Sequence, residues 1–132
     1  MTFSIAGRCA RTGMLGIAIT TSSIAVGARC PWVRAKVGAV STQNVTDPRL
    51  GPKGLDLLEQ GLSAPQAMER LIADASDKEY RQVIMVDAAG RTAHWTGEKA
   101  LGTRGVAEGQ DCVSGGNLLN HPGVPRVLVE SF

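Results

Sequence analysis

Val83-Ile84-Met85-Val86 is the most restrictive stretch of this chain. A short, continuous apolar run bounded by polar and turn-forming residues reads as a strand buried on both faces. Such a strand cannot lie at a surface. Each face of its sheet needs a cover, so the chain must fold into layers.

The neighbouring segments supply those layers. Thr2–Arg8 alternate, with Phe3 and Ile5 on one face and Ser4 and Ala6 on the other. Ala10-Arg11-Thr12-Gly13 turns the chain, and Leu15, Ile17 and Ile19 alternate on the way back, which together spell a β-hairpin. The polar patch Thr20-Thr21-Ser22-Ser23 leads into an irregular stretch through Gly27 to Trp32. Val37–Gln43 is expected to be the third strand.

Gly51–Gln60 reads as a helix, with Leu55 and Leu58 inward and Gly61 as its stop. Ser63-Ala64-Pro65-Gln66 has the form of a capping box. Ala64, Ala67, Met68, Leu71 and Ile72 then follow at helical spacing and make one apolar stripe. After the buried run, Asp87-Ala88-Ala89-Gly90 turns into a return arm at Arg91–Thr96. A further strand is expected at Gln110–Ser114 and a closing helix at Val124–Phe132. That helix ends with no glycine or cationic stop, as if a partner element were still to come. The whole is one α+β domain over residues 1–132, or the first portion of one.

Composition narrows the function classes. The net charge of +2 is small, and Arg8, Arg11, Arg29, Arg34 and Lys36 form no basic patch interleaved with aromatics, so nucleic acid is not an expected partner. No run approaches the roughly 20 apolar residues of a membrane span. The first residues lack the basic and apolar blocks of a signal peptide. Cys9, Cys30 and Cys112 show no Cys-x-x-Cys spacing and read as reduced thiols of a cytoplasmic protein. His94 and His121 are too few for a metal centre, and Gly115-Gly116-Asn117 lacks the lysine and glycine spacing of a phosphate loop. Neither a metal nor a cofactor is expected.

Several blocks occur in a recognisable order. They are Met1-Thr2-Phe3-Ser4-Ile5, Val26-Gly27, Pro31-Trp32, Gly38-Ala39-Val40-Ser41-Thr42-Gln43 and Gly51-Pro52-Lys53-Gly54-Leu55-Asp56-Leu57. Arg81-Gln82-Val83, Val86-Asp87 and Gly116-Asn117-Leu118-Leu119 complete the series. Over nearly the whole chain these are similar to a bacterial and archaeal family of unknown function classed with the N-terminal-nucleophile (Ntn) hydrolases. The opening also resembles that of a proteasome β-type subunit. The resemblance implies a four-layer αββα sandwich, with further strands and helices on additional sequence or on a companion chain.

It also directs attention to Thr2. Methionine aminopeptidase generally removes Met1 before a residue as small as threonine, which would leave an α-amine beside a hydroxyl on one residue. The amine, with a reference pKa of about 7.7–8.0, can take the hydroxyl proton, so nucleophile and base need no histidine. Carbonyl-oxygen donors are expected at strand ends: Thr21, Thr42, Gln43 and Asn117, with Ser22 and Ser23 read as turn chemistry. Cys30 is the alternative nucleophile. Lys36 and Arg81 are read as surface or interface residues rather than as site groups. The expected activity is hydrolysis of a small amide-type C–N bond through an acyl-Thr2 intermediate. The rival is a non-catalytic small-molecule-binding or assembly protein on the same scaffold. A small-molecule partner and a homo-oligomer are expected in either case.

Overall fold

The computed structural model describes residues 1–132. β1 (Thr2–Arg8) and β2 (Leu15–Thr21) form the expected hairpin, paired from Thr2↔Thr21 to Arg8↔Leu15. A short 3-10 turn at Val26–Ala28 leads to β3 (Pro31–Arg34) and β4 (Gly38–Asn44). Helices α1 (Leu50–Glu59) and α2 (Ala64–Ala73) follow, then β5 (Arg81–Asp87) and β6 (Thr92–Thr96). The chain ends with β7 (Gly105–Gly109), β8 (Cys112–Asn117) and α3 (Val124–Ser131). The first sheet has the order β2-β1-β8-β7 and the second β3-β4-β5-β6. Every pairing is antiparallel.

Two strands go beyond the sequence-based expectation. Pro31–Arg34, whose first two residues fall in the stretch expected to be irregular, is an outer strand of the second sheet, and Gly105–Gly109 is an outer strand of the first. The strand expected at Gln110–Ser114 lies at Cys112–Asn117 instead. Asp111 sits in the β7–β8 turn with a left-handed backbone, φ +61°, and moves the strand start past it.

β5 is buried along its entire length, as its apolar run requires. Val83 and Met85 point to one side and join the larger core, with Leu55, Leu71 and Ile72 from α1 and α2. Ile84 and Val86 point to the other side and meet Ala6, Ala39 and Val113 between the two sheets. Period-2 alternation thus feeds two cores from one strand. At the start of α2, Ser63 Oγ accepts from the Gln66 N–H while Gln66 Oε1 accepts from the Ser63 N–H, so the capping box is present. Gly51 lets α1 settle onto the Trp32 ring of β3, since a Cβ there would run into the indole. α3 covers part of the outer face of the first sheet through its buried Pro125. The layers are therefore helices, sheet, sheet, helix. None of the helices is long and apolar enough to cross a membrane.

Candidate functional site

Strand register builds the site. β1 is a central strand of the first sheet, and Thr2 at its start pairs with Thr21 of β2 on one side and Asn117 of β8 on the other. Ser4 and Ala6 point between the sheets: Ser4 Oγ donates to Gln43 Oε1 of the second sheet at 2.8 Å, and Ala6 lies in the inter-sheet core. Alternation gives Thr2 the same direction. Thr21, Thr2 and Asn117 therefore form one row on the inner face. The facing row of the second sheet is Gln43, Gln82 and Thr96, also register partners. One end of an otherwise aliphatic inter-sheet space is polar.

Amides hold the two rows together. Gln43 Nε2 donates to Gln82 Oε1 at 2.7 Å and to the Gly115 carbonyl at 3.0 Å. Asn117 Nδ2 donates to the same Gln82 oxygen at 3.1 Å. Gln82 Nε2 donates in turn to Thr96 Oγ1 and the Gly116 carbonyl, both at 3.1 Å. Gly115 makes room for this, because a Cβ there would stand 3.0 Å from the Ile84 side chain. Gln43, Gln82 and Asn117 are all at most 1% exposed, so these bonds compensate an otherwise costly burial.

Around Thr2 the contacts are looser and partly open. Thr2 Oγ1 lies 2.9 Å from Thr21 Oγ1. Thr21 directs its proton to the Met1 carbonyl at 3.1 Å, and the Ser22 N–H donates to that carbonyl at 3.2 Å. With the Thr21 proton so engaged, Thr2 supplies the proton in the hydroxyl pair. Two donors thus converge on a carbonyl oxygen beside Thr2. The larger surface clefts lie elsewhere, mainly where α3 leaves the outer face of the first sheet uncovered, and Thr2 lines none of them.

Of the residues singled out from sequence, Thr2, Thr21, Gln43 and Asn117 meet at this end of the sandwich. Thr42 does not. It shares the helix-facing side of β4 with Val40, and its buried hydroxyl has no hydrogen-bond partner. The Ser22 side chain stays at the surface, yet its backbone N–H joins the Met1 carbonyl contact. Lys36 occupies the β3–β4 turn at the far end of β4. Arg81 lies on the helix-facing side of β5, with its guanidinium on the Val45 carbonyl. Gln82, the hub of the network, was not anticipated as a site residue. Its signal was a polar residue directly before an apolar run that must be buried on both faces.

The three cysteines are free, and their surroundings shift the thiol acidities in different directions. Burial pushes the Cys30 thiol up, against weaker opposing effects of the Thr46 hydroxyl and Arg29. Burial likewise raises Cys112. The Cys9 thiol is lowered, chiefly by its hydrogen bond with the Thr12 side chain. Thiolate is the reactive form, so Cys30 is poorly suited to nucleophilic work. Iodoacetamide near neutral pH should alkylate Cys9 first, and Cys30 and Cys112 only on unfolding, as peptide mass mapping would read; early modification of Cys30 would contradict this order.

The layers and their polar end define an α+β sandwich of two antiparallel four-stranded sheets and three helices. The chain belongs to the family of unknown function DUF1028, whose model matches residues 2–132. It is also similar in structure to the DUF1028 protein SPO2555 from Silicibacter pomeroyi, known from a crystal structure, with a TM-score of 0.94 and 26% sequence identity. That match covers 98% of this chain and 60% of the other, so the chain spans 60% of that protein's length. Among curated proteins none matches.

Proposed function

We propose that this chain is an Ntn-type hydrolase domain that cleaves a small amide C–N bond through an acyl-Thr2 intermediate. One observation carries the proposal: Thr2 opens a central strand with its hydroxyl on the inner face, between Thr21 and Asn117, at the polar end of a helix–sheet–sheet–helix stack. A hydroxyl and a prospective α-amine on one residue, both beside neutral hydrogen-bonding groups, is the arrangement that N-terminal nucleophile chemistry needs.

In the proposed reaction the Thr2 α-amine takes the hydroxyl proton as Oγ1 adds to the substrate carbonyl carbon. Negative charge gathers on the carbonyl oxygen, where the Thr21 hydroxyl and the Ser22 N–H are the candidate donors, since they already hold a carbonyl oxygen beside Thr2. The C–N bond breaks, and the ammonium returns its proton to the leaving nitrogen. Water then adds to the acyl-Thr2 ester as it gives a proton to the amine, the ester C–O bond breaks as the ammonium returns that proton to Oγ1, and the acid leaves. Amine and hydroxyl supply base and nucleophile, so no metal or cofactor enters the proposal. The substrate is proposed to be a small molecule, and self-association through the outer strands and the half-covered first sheet belongs to the same proposal.

Intact mass and a β-lactone probe test it together. The expected result is a chain lacking Met1 that gains one acyl group on the peptide beginning at Thr2. Retention of Met1 would keep the amine in a peptide bond and leave a binding or assembly protein on this fold.

A further inference from the structure

The orientation of the Asn117 carboxamide is fixed by a chain of hydrogen bonds that starts at the backbone. Carbonyl oxygens only accept, so the Gln82 atom 3.1 Å from the Gly116 carbonyl is its nitrogen, and the Gln43 atom 3.0 Å from the Gly115 carbonyl is likewise nitrogen. Gln82 must then turn its oxygen to Gln43 and Asn117, and Asn117 must answer with Nδ2. One Asn117 N–H is consumed there. Its Oδ1 is left on the other side of the carboxamide, away from the Gln82 oxygen.

The backbone aims the future amine at the same strand. No cis peptide bond occurs, so the Met1–Thr2 peptide is trans, with its carbonyl and N–H pointing in opposite directions. The carbonyl faces β2, where the Ser22 N–H donates to it. The Thr2 nitrogen therefore faces β8, where Asn117 is its register partner and shares the inner face. An amine carries N–H donors, and the Asn117 carboxamide, on the strand that the Thr2 nitrogen faces, offers a neutral acceptor oxygen. A carbonyl-type oxygen can orient the amine without the strong hold on its proton that a carboxylate would exert.

We propose that Gln82 is a positioning residue that turns Asn117 Oδ1 toward the Thr2 α-amine, and that Oδ1 accepts a hydrogen bond from this amine once Met1 is gone. The assignment rests on the Ntn-type proposal and adds one role to it: Asn117, expected from sequence as a carbonyl-oxygen donor, orients the base instead. The titratable groups of the packed elements stand off the two rows. Arg81 and Asp87 occupy the two ends of β5, with Arg81 on its helix-facing side, and His94 is exposed on β6 beside Ile84. No charged side chain belongs to either row.

The test is an NMR titration of the Thr2 amine in chains made to begin at Thr2, labelled with 15N-threonine. Asn117→Asp puts a carboxylate beside the amine and should tighten its proton binding by about tenfold. Asn117→Ala removes the acceptor and should weaken proton binding by a fewfold. Gln82→Met, which leaves Asn117 in place but unanchored, should move the amine in the same direction as Asn117→Ala. Opposite shifts from two substitutions at one position are not what a general loss of packing produces. If the buried carboxylate prevents folding, Asn117→Ala and Gln82→Met still carry the readout. An amine unmoved in both of these, on folded chains, overturns the assignment. The titration needs no turnover, so its failure differs from that of the hydrolase proposal: shifts without β-lactone acylation would sink only the hydrolase, and acylation without shifts only the role of Asn117.

Discussion

Replacing Thr2 by alanine in a chain freed of Met1 is expected to lower amide hydrolysis at least roughly a thousandfold, about 4 kcal/mol of barrier, and to abolish β-lactone labelling. The α-amine stays in Thr2→Ala, so the loss isolates the hydroxyl. The fold should survive, because Thr2 is only partly buried and gives up one hydroxyl contact, to Thr21, worth about 1 kcal/mol. Thr2→Ser keeps a hydroxyl at the same position and should retain labelling at a reduced rate. Full turnover by a folded Thr2→Ala chain would remove the acyl-threonine intermediate from consideration.

The second large effect is on stability. Leu71, fully buried on α2, packs in the core between the helices and the second sheet, with its methyl close to where a side chain at Gly54 of α1 would stand. Leu71→Ala opens a cavity in the core beneath the two helices and should cost about 2–5 kcal/mol. In a chain of this size that corresponds to a fall in Tm of roughly 7–18 °C. The substituted residue lies on the opposite side of the second sheet from Thr2, so acylation well below the unfolding range should change little. A Tm unchanged within about 2 °C would mean that α2 is not seated as described.

Strong local patterns were legible in the sequence. β5 follows from four consecutive apolar residues, and α2 from a capping box followed by an unbroken stripe. β3 and β7 were missed because both are outer strands with little alternation: Pro31 opens the first, and glycine begins and ends the second. At an edge one side of the backbone needs no partner, so proline and glycine are tolerated and the usual pattern fades. The site shows the same division. Thr2, Thr21 and Gln43 stand where strand reading directs them, whereas Thr42, adjacent to Gln43, must point the other way. Asn117 joined the row only because β8 runs on through Gly115 and Gly116, residues that in sequence look like the end of a strand.

The two sheets are unequally wrapped, and that inequality divides the site. Gln43 and Gln82 sit on the inner strands of the sheet roofed by two helices and are at most 1% exposed. Thr21 rides on β2, an edge strand whose outward residues are bare and which α3 leaves uncovered. Warming or denaturant would therefore peel the hydroxyl partner away from Thr2 while the amide lattice beneath was still intact.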